Sequence, residues 1–87
     1  MEKAIVVICR ALGSRPQTAV VVHSLNGYTV CVVPSDFNIV DGQVLYRPEY
    51  YRGVWKVSGS DELFPANVTG AMTLHEAEHA FTQMLCL

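Results

Sequence analysis

The hydrophobic pattern changes period once along the chain. Residues 3–11 are rich in β-branched side chains and apolar at both parities until Arg10, which predicts a strand covered on both faces and therefore central. Gly13-Ser14-Arg15-Pro16 ends it, because Pro16 has no N–H for a ladder and biases Arg15 away from the helical region. A second strand follows over residues 18–25. Asn26-Gly27 supplies two residues that tolerate positive φ, the signature of a type I′ hairpin turn. Residues 28–33 form the returning strand, stopped by Pro34, so the first three strands are expected as an antiparallel meander.

Phe37-Asn38-Ile39-Val40 and Gln43-Val44-Leu45-Tyr46 flank Asp41-Gly42 and read as a second hairpin. Residues 47–53 read as a loop, 54–57 as a short closing strand and 58–62 as a polar turn. Residues 63–71 read as irregular, with a short strand around 67–69. The period then becomes helical. Over residues 72–87, Leu74, Ala77, Ala80, Phe81, Met84 and Leu85 share one arc, while His75, Glu76, His79, Thr82, Gln83 and Cys86 share the other. Thr73 is a good N-cap, and Glu76 three residues later completes a capping box. Strands followed by a helix predict the α+β class: an antiparallel sheet of four to six strands with one C-terminal amphipathic helix packed on one face. The whole chain, residues 1–87, reads as a single domain.

One helix of this length is ~21 Å long and ~10 Å wide, enough for one face of a small sheet. The strands are apolar on both faces, so the second face needs the irregular segment 63–71, a partner or a second copy. A twofold homodimer formed through the sheet is the expectation, because such dimers are the commonest solution.

Composition narrows the class. Apolar residues make up 51% and charged residues 16%, which excludes general disorder. A net charge of −2 and a pI near 5.8 do not suit a phosphate-neutralising surface, so direct nucleic-acid binding is not expected. No apolar run is long enough to span a bilayer, and the N-terminal run reads as a strand, not a signal peptide. Cys9, Cys31 and Cys86 are odd in number and lack C-x-x-C spacing, as expected for free thiols in a reducing cytoplasm.

Two stretches carry candidate chemistry. His75-Glu76-Ala77-Glu78-His79 matches H-E-x-x-H, which sets two imidazoles one turn apart with a glutamate as general base. A zinc-dependent hydrolase needs a third protein ligand, and no His, Asp or Glu follows His79. His23 and Asp61 are candidates without spacing support, so neither a metal site nor a catalytic set is assigned and no cofactor is expected. Cys9, Cys31 and His23 lie in strands and read as core residues. The second stretch, Arg47-Pro48-Glu49-Tyr50-Tyr51-Arg52, concentrates residue types enriched at binding hot spots. Asp61-Glu62 and Glu76 with Glu78 are candidates for a joint acidic face. The expected partner-binding residues are therefore Arg47, Glu49, Tyr50, Tyr51, Arg52, Asp61, Glu62 and Glu76.

Gly53-Val54-Trp55-Lys56-Val57, followed by Thr73-Leu74-His75-Glu76-Ala77-Glu78-His79-Ala80-Phe81, resembles the ending of AP2-like and phage-integrase arm-binding domains. That resemblance implies a nucleic-acid-binding module, but the Lys and Arg such domains carry on the sheet face are missing here. In size and style the chain is also similar to small phage and mobile-element inhibitors, including anti-CRISPR proteins. This resemblance implies a non-enzymatic protein-binding inhibitor, whose partner is a host protein or a protein–nucleic-acid defence complex.

Overall fold

The computed structural model describes residues 2–47 and 53–86. Strands β1 (Glu2–Ala11), β2 (Gln17–Ser24), β3 (Gly27–Pro34), β4 (Val44–Arg47) and β5 (Lys56–Val57) form one antiparallel sheet in the order β3-β2-β1-β4-β5. Helix α1 (Leu74–Cys86) follows, giving the α+β architecture that the pattern predicts. β1 is central, as its two-sided apolar pattern requires. A bulge at Val7 separates the pairs Val6↔Val22 and Ile8↔Val21, and beyond it Ile8 turns to the helix side.

The face away from the helix is covered by loops. Ala4, Val6, Val20, Val22, Val33, Leu45 and Val57 pack there against Trp55 and Phe64, with Phe37, Ile39, Ala66 and Val68 at the margin. Phe37 meets Phe64 edge-on at 5.9 Å between ring centroids. Of the three covers open to this face, the irregular segments supply it. The twofold dimer therefore finds no bare surface on this side.

Phe37 and Ile39 also explain why residues 37–40 are not a hairpin partner of β4. Their side chains anchor the loop in the core, and β4 pairs instead with β1, from Glu2↔Arg47 to Ile5↔Val44. The Asp41-Gly42 turn itself forms, with Gln43 N donating to the Val40 carbonyl at 3.2 Å and Gly42 at φ 84°. Ahead of Val44, where β4 begins, this loop continues the ladder beside β1. Val6 N donates to Gln43 O at 2.8 Å, Gly42 N to Val6 O at 2.7 Å, and Cys9 N to Asp41 Oδ1 at 2.9 Å.

The β2–β3 hairpin is present, but its turn is not type I′. Ser24 pairs with Gly27, so Leu25 and Asn26 occupy the turn, and no non-glycine residue among those described has positive φ. Gly27, at φ 135°, is needed for a close approach instead: a Cβ there would meet the carbonyl oxygens of Gly70 and Met72. The approaching segment starts at β5, where Phe64 N donates to Trp55 O at 2.8 Å, and runs beneath the sheet to β3. There Met72 and Tyr28 exchange two N–H···O bonds of 2.9 Å. The strand expected at 54–57 is short, covering only Lys56–Val57, with buried Trp55 just before it. The one expected around 67–69 is absent, since Gly70 N bonds the Thr29 hydroxyl at 2.6 Å.

Beyond Met72 the chain rises to the other face and the helix begins. The capping box is reciprocal: Glu76 N donates to Thr73 Oγ1 at 3.2 Å and Thr73 N to Glu76 Oε1 at 3.1 Å. Ala77 and Phe81 are buried on Ala19 and Val21, flanked by Ile8, Leu12, Tyr28, Val30, Met72 and Met84. No helix among the described residues is long and apolar enough to cross a membrane.

Candidate protein-docking surface

The helix packs on β2 and β3, at one end of a five-stranded sheet. Strands lie ~4.8 Å apart, so a helix ~10 Å across spans two of them; Ile8 and Leu12 reach its edge, and among the described residues the first half of β1, β4 and β5 have no helix over them on that side. Ladder pairing sets which side chains stand there. One row runs Val44, Ile5, His23, Tyr28, and the next runs Lys56, Tyr46, Lys3. Ile5 is 48% exposed and Val7 45%, both high for β-branched residues in a central strand. Leu74 faces them from the first turn of the helix at 49%.

Between helix and β1 lies an open groove of about 440 Å³, lined by Val7, Ile8, Val21, Leu74, Ala77, Glu78, Phe81 and Thr82. A second, separate depression of about 430 Å³ lies at the strand ends by the β2–β3 turn, lined by Glu2, Lys3, Ile5, His23, Ser24 and Leu25. Leu25, at the tip, is 90% exposed. The result is an apolar strip with a wall on one side, Glu78 on the wall and Lys3 toward the far end of the floor.

The expected partner-binding residues scatter. Arg47 pairs with Glu2 and lies over Trp55, with its guanidinium carbon 5.4 Å from the ring centroid. Asp61 and Glu62 are exposed in the turn after β5, where Glu62 O accepts from Val57 N at 3.1 Å. Arg47, Asp61 and Glu62 thus share the β4–β5 end of the sheet. Glu76 sits on the helix, at the β2–β3 end, so the joint acidic face does not form. Glu49, Tyr50, Tyr51 and Arg52 lie outside the described residues.

The H-E-x-x-H residues are on the helix, with His75 and His79 exposed. Glu76 is held by Thr73, whose backbone N–H and hydroxyl keep its carboxyl below the usual carboxylate range, with a smaller contribution from His75. Among the described residues no group of three His, Cys, Asp or Glu side chains converges as a metal site. His23 is not a core residue: it is exposed and stacked on Tyr28, with ring centroids 4.2 Å apart. Cys9 and Cys31 are half-buried. Burial pushes the Cys31 thiol up to about 11. Cys9 is raised by burial and by Asp41, whose Oδ1 accepts from the thiol at 3.2 Å. Both thiols are therefore protonated near neutral pH, the opposite of an activated nucleophile.

Sequence reasoning missed Lys3, Ile5, Val7, Val44 and Tyr46 as surface residues. The signal was present in the two-sided apolar pattern of β1 and the width of one helix. Which half of the sheet the helix covers depends on the path of residues 63–72. No family model, curated protein or solved structure matches the chain.

Proposed function

We propose that the protein is a non-enzymatic protein-binding module whose working surface is the bare half of the helix-side sheet face. The carrying observation is the pair Ile5 and Val7, apolar and nearly half exposed on the central strand, beside a groove walled by Leu74 and Phe81. Contiguous apolar surface rimmed by polar residues marks interaction sites in soluble proteins. The rim is mixed in charge, Lys3 on the floor and Glu78 on the wall, which suits a protein partner better than a uniformly charged polymer. The finer reading is an inhibitor directed at a host nucleic-acid-processing complex, supported by the likeness in size and style to phage-encoded inhibitors.

Affinity capture of the tagged full chain from its native cells, compared with Ile5→Lys, tests the reading. A protein recovered in stoichiometric amount by the wild type and lost with Ile5→Lys is the expected result. Equal recovery by both, or nucleic acid recovered in place of protein, overturns it.

A further inference from the structure

We propose that the open edge of β3, at Val30 and Val32, is a second docking site, which takes an extended segment of a partner protein as one more antiparallel strand. It lies across α1 from the strip and is independent of it.

Backbone demand is the first argument. Tyr28 directs both its N–H and its C=O away from β2, to Met72. The β2–β3 register has no bulge, so the backbone groups of Val30 and Val32 point the same way, out of the sheet. Among the described residues nothing bonds them. Elsewhere the fold closes its edges with backbone. Val57 N donates to Glu62 O and Phe64 N to Trp55 O beyond β5, and Met72 closes the Tyr28 end of β3. What stays open is a row of donors and acceptors whose full complement is another extended backbone.

The edge is also unguarded. Edge strands ordinarily carry a lysine, an inward charge or a bulge that deters pairing. Residues 27–34 read Gly-Tyr-Thr-Val-Cys-Val-Val-Pro, with no charge and no bulge. Met72 bounds the open run at one end and Pro34 at the other, which leaves room for a short segment.

Charge and shape narrow that segment. Side chains opposite Val30 and Val32 stand on the helix side, where Val30 packs beside Phe81. Val32 lines a cleft of about 190 Å³ there with Leu12, Ser14, Arg15 and Met84, so apolar side chains suit these two alternate positions. Arg15 is exposed at the Pro34 end, and among the described residues it has no ion-pair partner. An antiparallel segment brings its N-terminal side to that end, where an acidic residue completes the match. A second copy's own β3 fits less well. In the register that sets Val30 against Val32 of the other copy, Pro34 falls opposite Tyr28, the place that Met72 holds.

The probe is the peptide acetyl-Glu-Thr-Val-Thr-Val-amide, titrated into the isotope-labelled full chain to about 5 mM, since so short a strand should bind with a Kd on the order of 1 mM. The amide signals of Val30 and Val32 should shift and approach saturation. N-methylation of both peptide valines removes the N–H groups aimed at β3 and should weaken binding ~10-fold or more. N-methylation of the threonine between them, whose N–H faces away, should leave binding within ~2-fold. Lysine in place of the peptide's glutamate should weaken it ~3-fold. Val32→Pro removes an outward N–H and no ladder bond, so the sheet should survive, as circular dichroism checks, while binding falls ~5-fold or more. No shift of these amides by about 5 mM peptide, or N-methylated valines that bind as well as the parent, overturns the proposal. So do Val30 and Val32 shifts that appear on concentrating the chain alone, which would put a second copy on the edge.

Discussion

Gly27 and Gly70 cross backbone to backbone. A Cβ on Gly27 would meet the Gly70 carbonyl oxygen, and Met72 O lies 2.8 Å from the same position. A Cβ on Gly70 would in turn meet Ser24 Oγ. The crossing is where the segment from β5 passes the β2–β3 hairpin and is handed to the helix. It therefore decides which half of the sheet the helix covers, and so which half is left bare.

Gly27→Ala should accordingly be severe. The added methyl meets backbone atoms that cannot swing aside, at a φ of 135° that L side chains rarely adopt, for a loss of ~3 kcal/mol or more. Gly42 also has positive φ but open space around it, so Gly42→Ala should cost only about 1 kcal/mol. Urea unfolding of the two variants checks this, and equal losses would contradict the crossing.

The loop cover should behave as core. Phe64 is 5% exposed and packs with Phe37 and Trp55 beneath the sheet, so Phe64→Ala should lower stability by about 3 kcal/mol or more. Leu25→Ala, at the exposed hairpin tip, should stay within ~0.5 kcal/mol of wild type. A mild Phe64→Ala phenotype in denaturant titrations would mean that the segment is only loosely applied.

The cap should be visible in pH dependence. Thr73→Ala removes the hydroxyl that accepts from Glu76 N and should cost ~1 kcal/mol. The Glu76 carboxyl is lowered in the folded state, so its contribution is complete above the unfolded carboxylate pKa. It is lost as pH falls through the lowered folded value. Glu76→Gln should flatten that acid limb of the stability profile, while His75→Ala should leave the limb nearly in place. An unchanged limb in Glu76→Gln would refute the assignment.

The thiols should react in order of access and charge. Alkylation at mildly alkaline pH, followed by mass spectrometry, should modify exposed Cys86 first, Cys9 next and Cys31 last. Asp41→Asn removes the negative charge that helps to hold the Cys9 thiol protonated, so Cys9 should then react several-fold faster. No change in its rate would show that the 3.2 Å contact has no hold on the proton. Asp41 itself is lowered in the folded state by bonds from Cys9, so its stabilisation fades as pH falls through that lowered value.

The parts of this fold that were legible in sequence are those specified locally. Thr73 and Glu76 are three residues apart and mark the helix start unaided. The β-branched runs of β1, β2 and β3 announce strands, and the two-sided pattern of β1 places it at the centre. What escaped is specified by distant residues. Asn26-Gly27 looks like a turn because glycine permits positive φ, yet Gly27 is used for the approach of Gly70 and Met72. Phe37 and Ile39 alternate like a strand, but they anchor a loop, and Asp41 caps β1 through Cys9 N. The site was legible only as an excess of apolar faces. Placing it required the path beneath the sheet.

The most direct measurement is methyl-resolved NMR of the full chain as the captured protein partner is titrated into it. The account predicts partner-dependent shifts of the Ile5, Val7 and Val44 methyls, on the bare half of the helix-side face. Val20 and Val22, sealed under the loops, should stay fixed. Shifts confined to other surfaces, or spectra that the partner leaves unchanged, would contradict the reading of that strip as the docking surface.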